Sequence, residues 1–170
     1  MTRLLGSVLV VAGCVSLGLC AVAWLDGRVR DLGELAAGLD TLQRELGWRL
    51  APLPQALEGA ARAARGPTAD FFTLCAQRAR SPDGQAFQEI WRNALNASPL
   101  RLRGEDRALL DRLGGVLGRY DGDSQRLALE DTAAGLRTLQ GAAAEERSRL
   151  GRVYGVLGAA AGLLAVILLL

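Results

Sequence analysis

Apolar residues follow two regimes along this chain. Leu4 to Leu25 is 22 residues without a charge, and Val153 to Leu170 is 18 more. Between these runs, apolar positions recur at intervals of three and four, the spacing of one helix face. Leu32, Leu35, Leu39, Leu42 and Leu46 form the first such stripe. No proline interrupts it before Pro52, so one helix is expected to continue from the first run. Pro52 and Pro54 break it, and Pro54 suits the first turn of a short helix through Arg65. Gly66-Pro67-Thr68 stops that helix and restarts the chain. A helix from about Asp70 then carries Phe71, Leu74 and Cys75. Ser81 to Gly84 reads as a turn, and the next helix offers Phe87, Ile90, Trp91 and Leu95 to a core before Asn96 to Pro99 end it. Leu109, Leu110, Leu113, Val116 and Leu117 give a stripe from about Glu105 to Arg119. Tyr120 to Ser124 predicts a turn with a helix cap at Asp123 or Ser124. From there to Leu170 nothing breaks a helix. No alternating β-branched run occurs, and the chain reads as all-α.

The two apolar runs change this picture. At about 1.5 Å per residue they reach roughly 33 and 27 Å, against a hydrocarbon core of about 30 Å. The expected organisation is a transmembrane helix over 1–25, a helical bundle over 26–152 and a C-terminal transmembrane helix over 153–170. In this reading the long first and last helices are continuous with the spans. The N-terminus has competing readings. Ala21-Val22-Ala23 is a small-x-small cleavage site, and Val11-Ala12-Gly13-Cys14 is similar to a lipobox. The apolar stretch persists well past Cys14 and has a single Arg before it, which favours an uncleaved span. Arg28, Arg30 and Arg44 follow the first run, and Arg137, Arg147, Arg149 and Arg152 precede the second, whereas Arg3 alone lies on the terminal side. That bias predicts a cell-membrane protein with a cytoplasmic bundle.

Charge and chemistry narrow the function classes. All 20 cations of the 170 residues are Arg, His is absent, and the formal net charge is +2. The arginines alternate with Asp and Glu, as on a solvated helical surface, and do not form the basic stripe of a nucleic-acid binder. Cys14 and Cys20 fall in the first apolar run and Cys75 in an amphipathic stretch, with no CxxC spacing. No catalytic, cofactor or metal site is expected, and no small-molecule substrate.

One stretch, "LGGVLGRYDGDSQ" over 113–125, concentrates glycine and polar residues. A phosphate-binding loop would need a preceding strand and a following Lys-Ser or Lys-Thr, and this protein contains no Lys. Gly114 and Gly118 are four apart, the small-xxx-small spacing that lets two helices approach closely. Helix contact is therefore the expected role of this segment.

The same stretch carries a resemblance. Leu113, Gly114, Leu117, Gly118, Asp121 and Gln125 follow the pattern L-G-x-x-L-G-x-x-D-x-x-x-Q of the stage III sporulation protein AB family. "RLLGSVLVVAG", "LQRELGWRLAPLPQAL", "FQEIWRNAL" and "RVYGVLGAAAGLLAVILLL" resemble further family segments in the same order. Trp48, Ala51 and Ile90-Trp91 depart from the usual Tyr, Thr and Ala-Trp. The resemblance implies an all-α domain related to the inner-membrane platform protein of type II secretion, and a non-catalytic role in the mother cell–forespore channel. It also implies three contacts: the membrane, a secretion-type ATPase of the same operon, and other stage III sporulation membrane proteins. In that picture Asp121 and Gln125 are structural hydrogen-bonding residues. A platform subunit of a general type II secretion or type IV pilus-like system is the nearest rival reading.

Overall fold

The computed structural model describes residues 2–81, 84–118 and 122–169, with side chains described at 20, 22–81, 84–118 and 122–153. Among these the chain forms six helices and no strand: α1 (Thr2–Gly47), α2 (Leu53–Ala63), α3 (Pro67–Ala79), α4 (Phe87–Ala97), α5 (Gly104–Val116) and α6 (Gly122–Leu169). The breaks fall where backbone chemistry demands them. α2 begins at Leu53 with Pro54 in its first turn, where a missing N–H costs nothing. Gly66 takes φ 56° and Pro67 opens α3 directly behind it. This helix starts a turn earlier than the apolar spacing predicts, because Pro67 already has the φ of a first helical residue.

The chain divides into two compact units, residues 28–141 and residues 1–27 with 142–170. In the first, Leu32, Leu35, Leu39 and Leu42 of α1 are all fully buried, so the leucine stripe is the spine of a core. Phe72 of α3 lies across α1 at Gly38, where a Cβ would overlap its ring. α3 packs against both α2 and α4, and α4 packs against α5. Phe71, Phe72 and Trp91 meet in tilted and edge-on contacts with ring centroids 4.8–6.3 Å apart, the arrangement aromatic quadrupoles favour. At the surface, Arg137 of α6 pairs with Asp40 of α1, and Gln43 donates to Glu130 at 2.6 Å. In the second unit, Arg147 of α6 pairs with Asp26 of α1, while Leu25 and Ala143 are buried.

A charge sits inside the first unit. Arg28 is 2% exposed and Asp106 is fully buried. The guanidinium donates from Nε to Asp106 Oδ2 and from a terminal nitrogen to Oδ1, both at 2.8 Å. The same terminal nitrogen reaches Glu105 Oε1 at 2.9 Å. Asp106 Oδ2 also accepts the Arg103 backbone N–H at 2.7 Å, closing the first turn of α5. Hydrogen bonding to the Asp106 carboxylate holds the Arg28 pKa above its ordinary value, against the opposing effect of burial. The pair therefore joins α1 to the beginning of α5 with a planar, two-bonded contact that only Arg can make.

The membrane part of the sequence expectation is corrected here. Among the described residues, no helix is long and apolar enough to cross a membrane. α1 and α6 are 46 and 48 residues long. Their described portions, however, carry Asp26, Arg28, Arg30, Asp31 and Glu34 at one end, and Glu145, Glu146, Arg147, Arg149 and Arg152 at the other. Over the stretches of these helices whose side chains are described, 22–47 and 122–153, charges this closely spaced leave no window of 18 apolar residues. Most side chains of the expected spans, at 2–19 and 154–169, lie outside the described residues. The all-α class stands, and the two end helices are each uninterrupted.

Removing one partner of the buried pair leaves an uncompensated charge. Asp106→Ala is expected to lower unfolding free energy by about 3–5 kcal/mol in urea titration. Glu105→Ala, at a side chain 57% exposed, should cost less than about 1 kcal/mol. Equal effects of the two variants would contradict the structural role assigned to Asp106.

Burial pushes the Cys75 thiol well above its usual range. The folded chain keeps this proton where the unfolded chain loses it. The stability contribution is thus complete below the unfolded thiol value of 9.0 and declines as pH rises past it, by up to about 1.4 kcal/mol per pH unit. With Cys14 and Cys20 replaced by Ser, thiol labelling at neutral pH should track global unfolding. Prompt labelling of the native chain would refute the buried placement.

Candidate functional site

The segment 113–125 begins on the last turns of α5, leaves that helix at Leu117 and Gly118, and takes in the start of α6 from Gly122, residues 119–121 lying outside the described residues. Trp91 organises its first half. From α4 the indole Nε1–H donates to the buried carbonyl of Leu110 at 2.9 Å. To reach that carbonyl the ring must lie across the helix one turn further on, and the residue there is Gly114. A Cβ on Gly114 would stand 2.5 Å from Trp91 Cδ1 and 2.8 Å from Cγ. The missing side chain is what brings the indole against the α5 backbone. Phe71 closes the ring from the far side at 4.8 Å, edge on, and Phe87 flanks it at 5.9 Å. Leu113 is buried beside Gly114.

Gly118 serves a different purpose. α5 ends at Val116, and Leu117, fully buried, leaves the helix with ψ 128° while its N–H bonds Leu113 at 3.0 Å. Gly118 follows with φ 80°, in the region that disfavours any residue bearing a Cβ. A Cβ there would meet Phe87 and Leu53 at 3.5 and 3.7 Å, ordinary contact distances. Backbone conformation, and not space, requires glycine at 118. The two glycines thus lie on different structures, one inside a helix and one beyond its end. Asp121 lies outside the described residues. Gln125 sits near the start of α6, half-buried, where it lines a groove of about 470 Å³ with Gln43, Leu46 and Leu50 of the α1 end and Arg126 and Leu129 of α6.

Sequence reasoning missed the residues that hold this region in place. Arg28 reads, in sequence, as a flank of an apolar run, and Asp106 as one acid among many on helix surfaces. A local signal existed for Asp106, an acid three residues after Arg103 at a helix start, but nothing in the sequence names its partner. Trp48 and Leu50 were likewise legible only as positions in a proline-broken stretch. Chemically the region is a packing junction. Its buried charges, Arg28 and Asp106, pair with each other, and among the described residues no group of three His, Cys, Asp or Glu could hold a metal ion.

The Trp91 geometry gives a discriminating test. Gly114→Ala should destabilise by about 1–3 kcal/mol, because steric overlap with the indole outweighs the helix preference for Ala. Gly115→Ala next to it meets the flexible Gln88 amide at 3.4 Å, and should be neutral or stabilising by about 0.5–1 kcal/mol. Thermal melts of the two variants should move in opposite directions, and a Gly114→Ala protein as stable as wild type would reject the close contact.

Comparisons with known proteins bear on the whole chain. The model of the stage III sporulation protein AB family matches residues 3–170. A curated relative, stage III sporulation protein AB of Bacillus subtilis (strain 168), is 24% identical over 177 residues, covering 100% of both chains. A solved structure of a stage III sporulation protein AB superposes with a TM-score of 0.66 at 22% identity, covering 72% of this chain and 98% of that one. That likeness speaks for the fold.

Proposed function

Since the chain belongs to the stage III sporulation protein AB family, we propose that it is a non-catalytic scaffold of a secretion-like sporulation channel between mother cell and forespore. In this reading it works by protein–protein contact, with a secretion-type ATPase on one side and other stage III sporulation proteins of the channel on the other, at the membrane that carries them. The observation that carries the reading is the match over nearly the full chain, glycine segment included, and not over a fragment. The internal chemistry supports it. The buried charge is spent on joining α1 to α5, and the glycines are spent on helix contact and helix termination. The exposed surface mixes Arg with Asp and Glu, including pairs such as Arg80–Glu58 at 2.5 Å and Arg92–Asp111 at 3.7 Å. A surface of this kind suits modest, salt-sensitive association.

The test uses the chain and the secretion-type ATPase that this reading assigns to its operon. The chain should recover the ATPase at low salt and progressively less at high salt, and should hydrolyse no ATP on its own. ATP hydrolysis by the purified chain would overturn the scaffold reading. Failure to recover the ATPase at any ionic strength would remove the motor contact.

A further inference from the structure

Packing along α6 changes within the first unit, between residues 122–132 and residues 133–141. From Gly122 to Ala128 no residue of α6 is buried, and the facing end of α1 buries nothing from Gln43 to Leu50. Between them lies the groove of about 470 Å³ that Gln125 lines. On its other flank the same stretch of α6 leaves a hollow of about 180 Å³ against α5. Leu109, Leu113 and Val116 stand on one side of it, and Ala128 and Thr132 on the other. A helix flanked by two gaps forgoes the dispersion contacts that hold a close-packed element. Leu129 is the one large side chain of 122–132 that is buried, and Gln43 reaches Glu130 at the surface.

Further along, the same helix is held closely. A Cβ on Gly135 would stand 2.9 Å from Leu109 Cδ2, so α5 touches the α6 backbone there. Leu136 is fully buried, and Arg137 pairs with Asp40. Gln140 lies over Gly33, where a Cβ would meet its Nε2 at 2.5 Å, and that nitrogen donates to the Val29 carbonyl at 3.2 Å. The boundary between loose and close packing falls at a glycine inside a helix, a residue that weakens the helix against bending.

We infer that residues 122–132 of α6 open as one unit, swinging from α1 and α5 about Gly135 while 133–141 stay docked. Opening joins the groove to the hollow and bares Leu129, Leu113 and Val116. The segment 113–125 then straddles a mechanical boundary. Gly114, against the Trp91 ring, belongs to the fixed part, and Gln125 belongs to the moving part. This strap is a property of the first unit, and it holds or fails independently of the ATPase contact.

Native-state hydrogen exchange of the whole chain, resolved residue by residue, tests it. The first four N–H groups of a helix lack an intrahelical partner, so the amides that report are those of 126–132. They should share one opening equilibrium, with protection about 100-fold or more below that of 135–141. Ala128→Leu fills the hollow at little cost in helix preference. It should raise protection at 126–132 by about 10-fold and leave 135–141 unchanged. Wild-type protection at 126–132 equal to that at 135–141 would overturn the inference. So would protection that climbs steadily from 126 to 132, since that is the fraying of a helix end and not the opening of a unit. A folded Ala128→Leu chain with unaltered exchange would overturn it too, and if that variant fails to fold the wild-type profile decides alone.

Discussion

The buried contact between Arg28 and Asp106 is the constraint on which the first unit depends. A guanidinium removed from water is tolerable only when a carboxylate meets it in plane and every remaining donor finds an oxygen. Here Asp106 supplies two bonds, Glu105 a third, and Asp106 simultaneously caps α5 through the Arg103 N–H. One carboxylate thus sets both where α5 begins and where it lies against α1. Leucine contacts alone would let two helices slide by a turn at modest cost. A paired buried charge does not, because any slip strands it.

A second contact fixes the other end of α5. Trp91 reaches the Leu110 carbonyl across Gly114, so α5 is held at its first turn by charge and near its last by an indole. The aromatic cluster of Phe71, Phe72, Phe87 and Trp91 carries that contact back to α3, and Phe72 carries it on to α1 at Gly38. The glycine segment is therefore coupled to the core spine through named rings, which explains why one stretch of chain combines close packing with an abrupt helix end.

Much of this was legible in the sequence, and the exceptions have physical causes. The leucine stripe of α1 and the proline-led starts of α2 and α3 are local properties of the chain. The identity of Arg28's partner is not local: it lies 78 positions away, and no spacing rule reaches that far. The four-residue interval between Gly114 and Gly118 means a shared face only while the helix continues, and Leu117 leaves it one residue earlier. The long apolar runs promised membrane spans, yet among the described residues no helix is long and apolar enough to cross a membrane, and most side chains of those runs lie outside the described residues.

The separation of Arg28 from Asp106 also sets an order of events during synthesis. At about 5–20 residues per second, a gap of 78 residues lasts roughly 4–16 s. During that interval the α1 leucines and Arg28 are already made, while the acid that neutralises the arginine is still missing. Contacts α2 with α3, α3 with α4 and α4 with α5 join neighbours in sequence and can close as they emerge, their loops being short. Phe72 can already meet α1 at Gly38 in that interval, so the apolar contacts of α1 are available before the charged one, and the salt bridge closes last on a helix already partly covered.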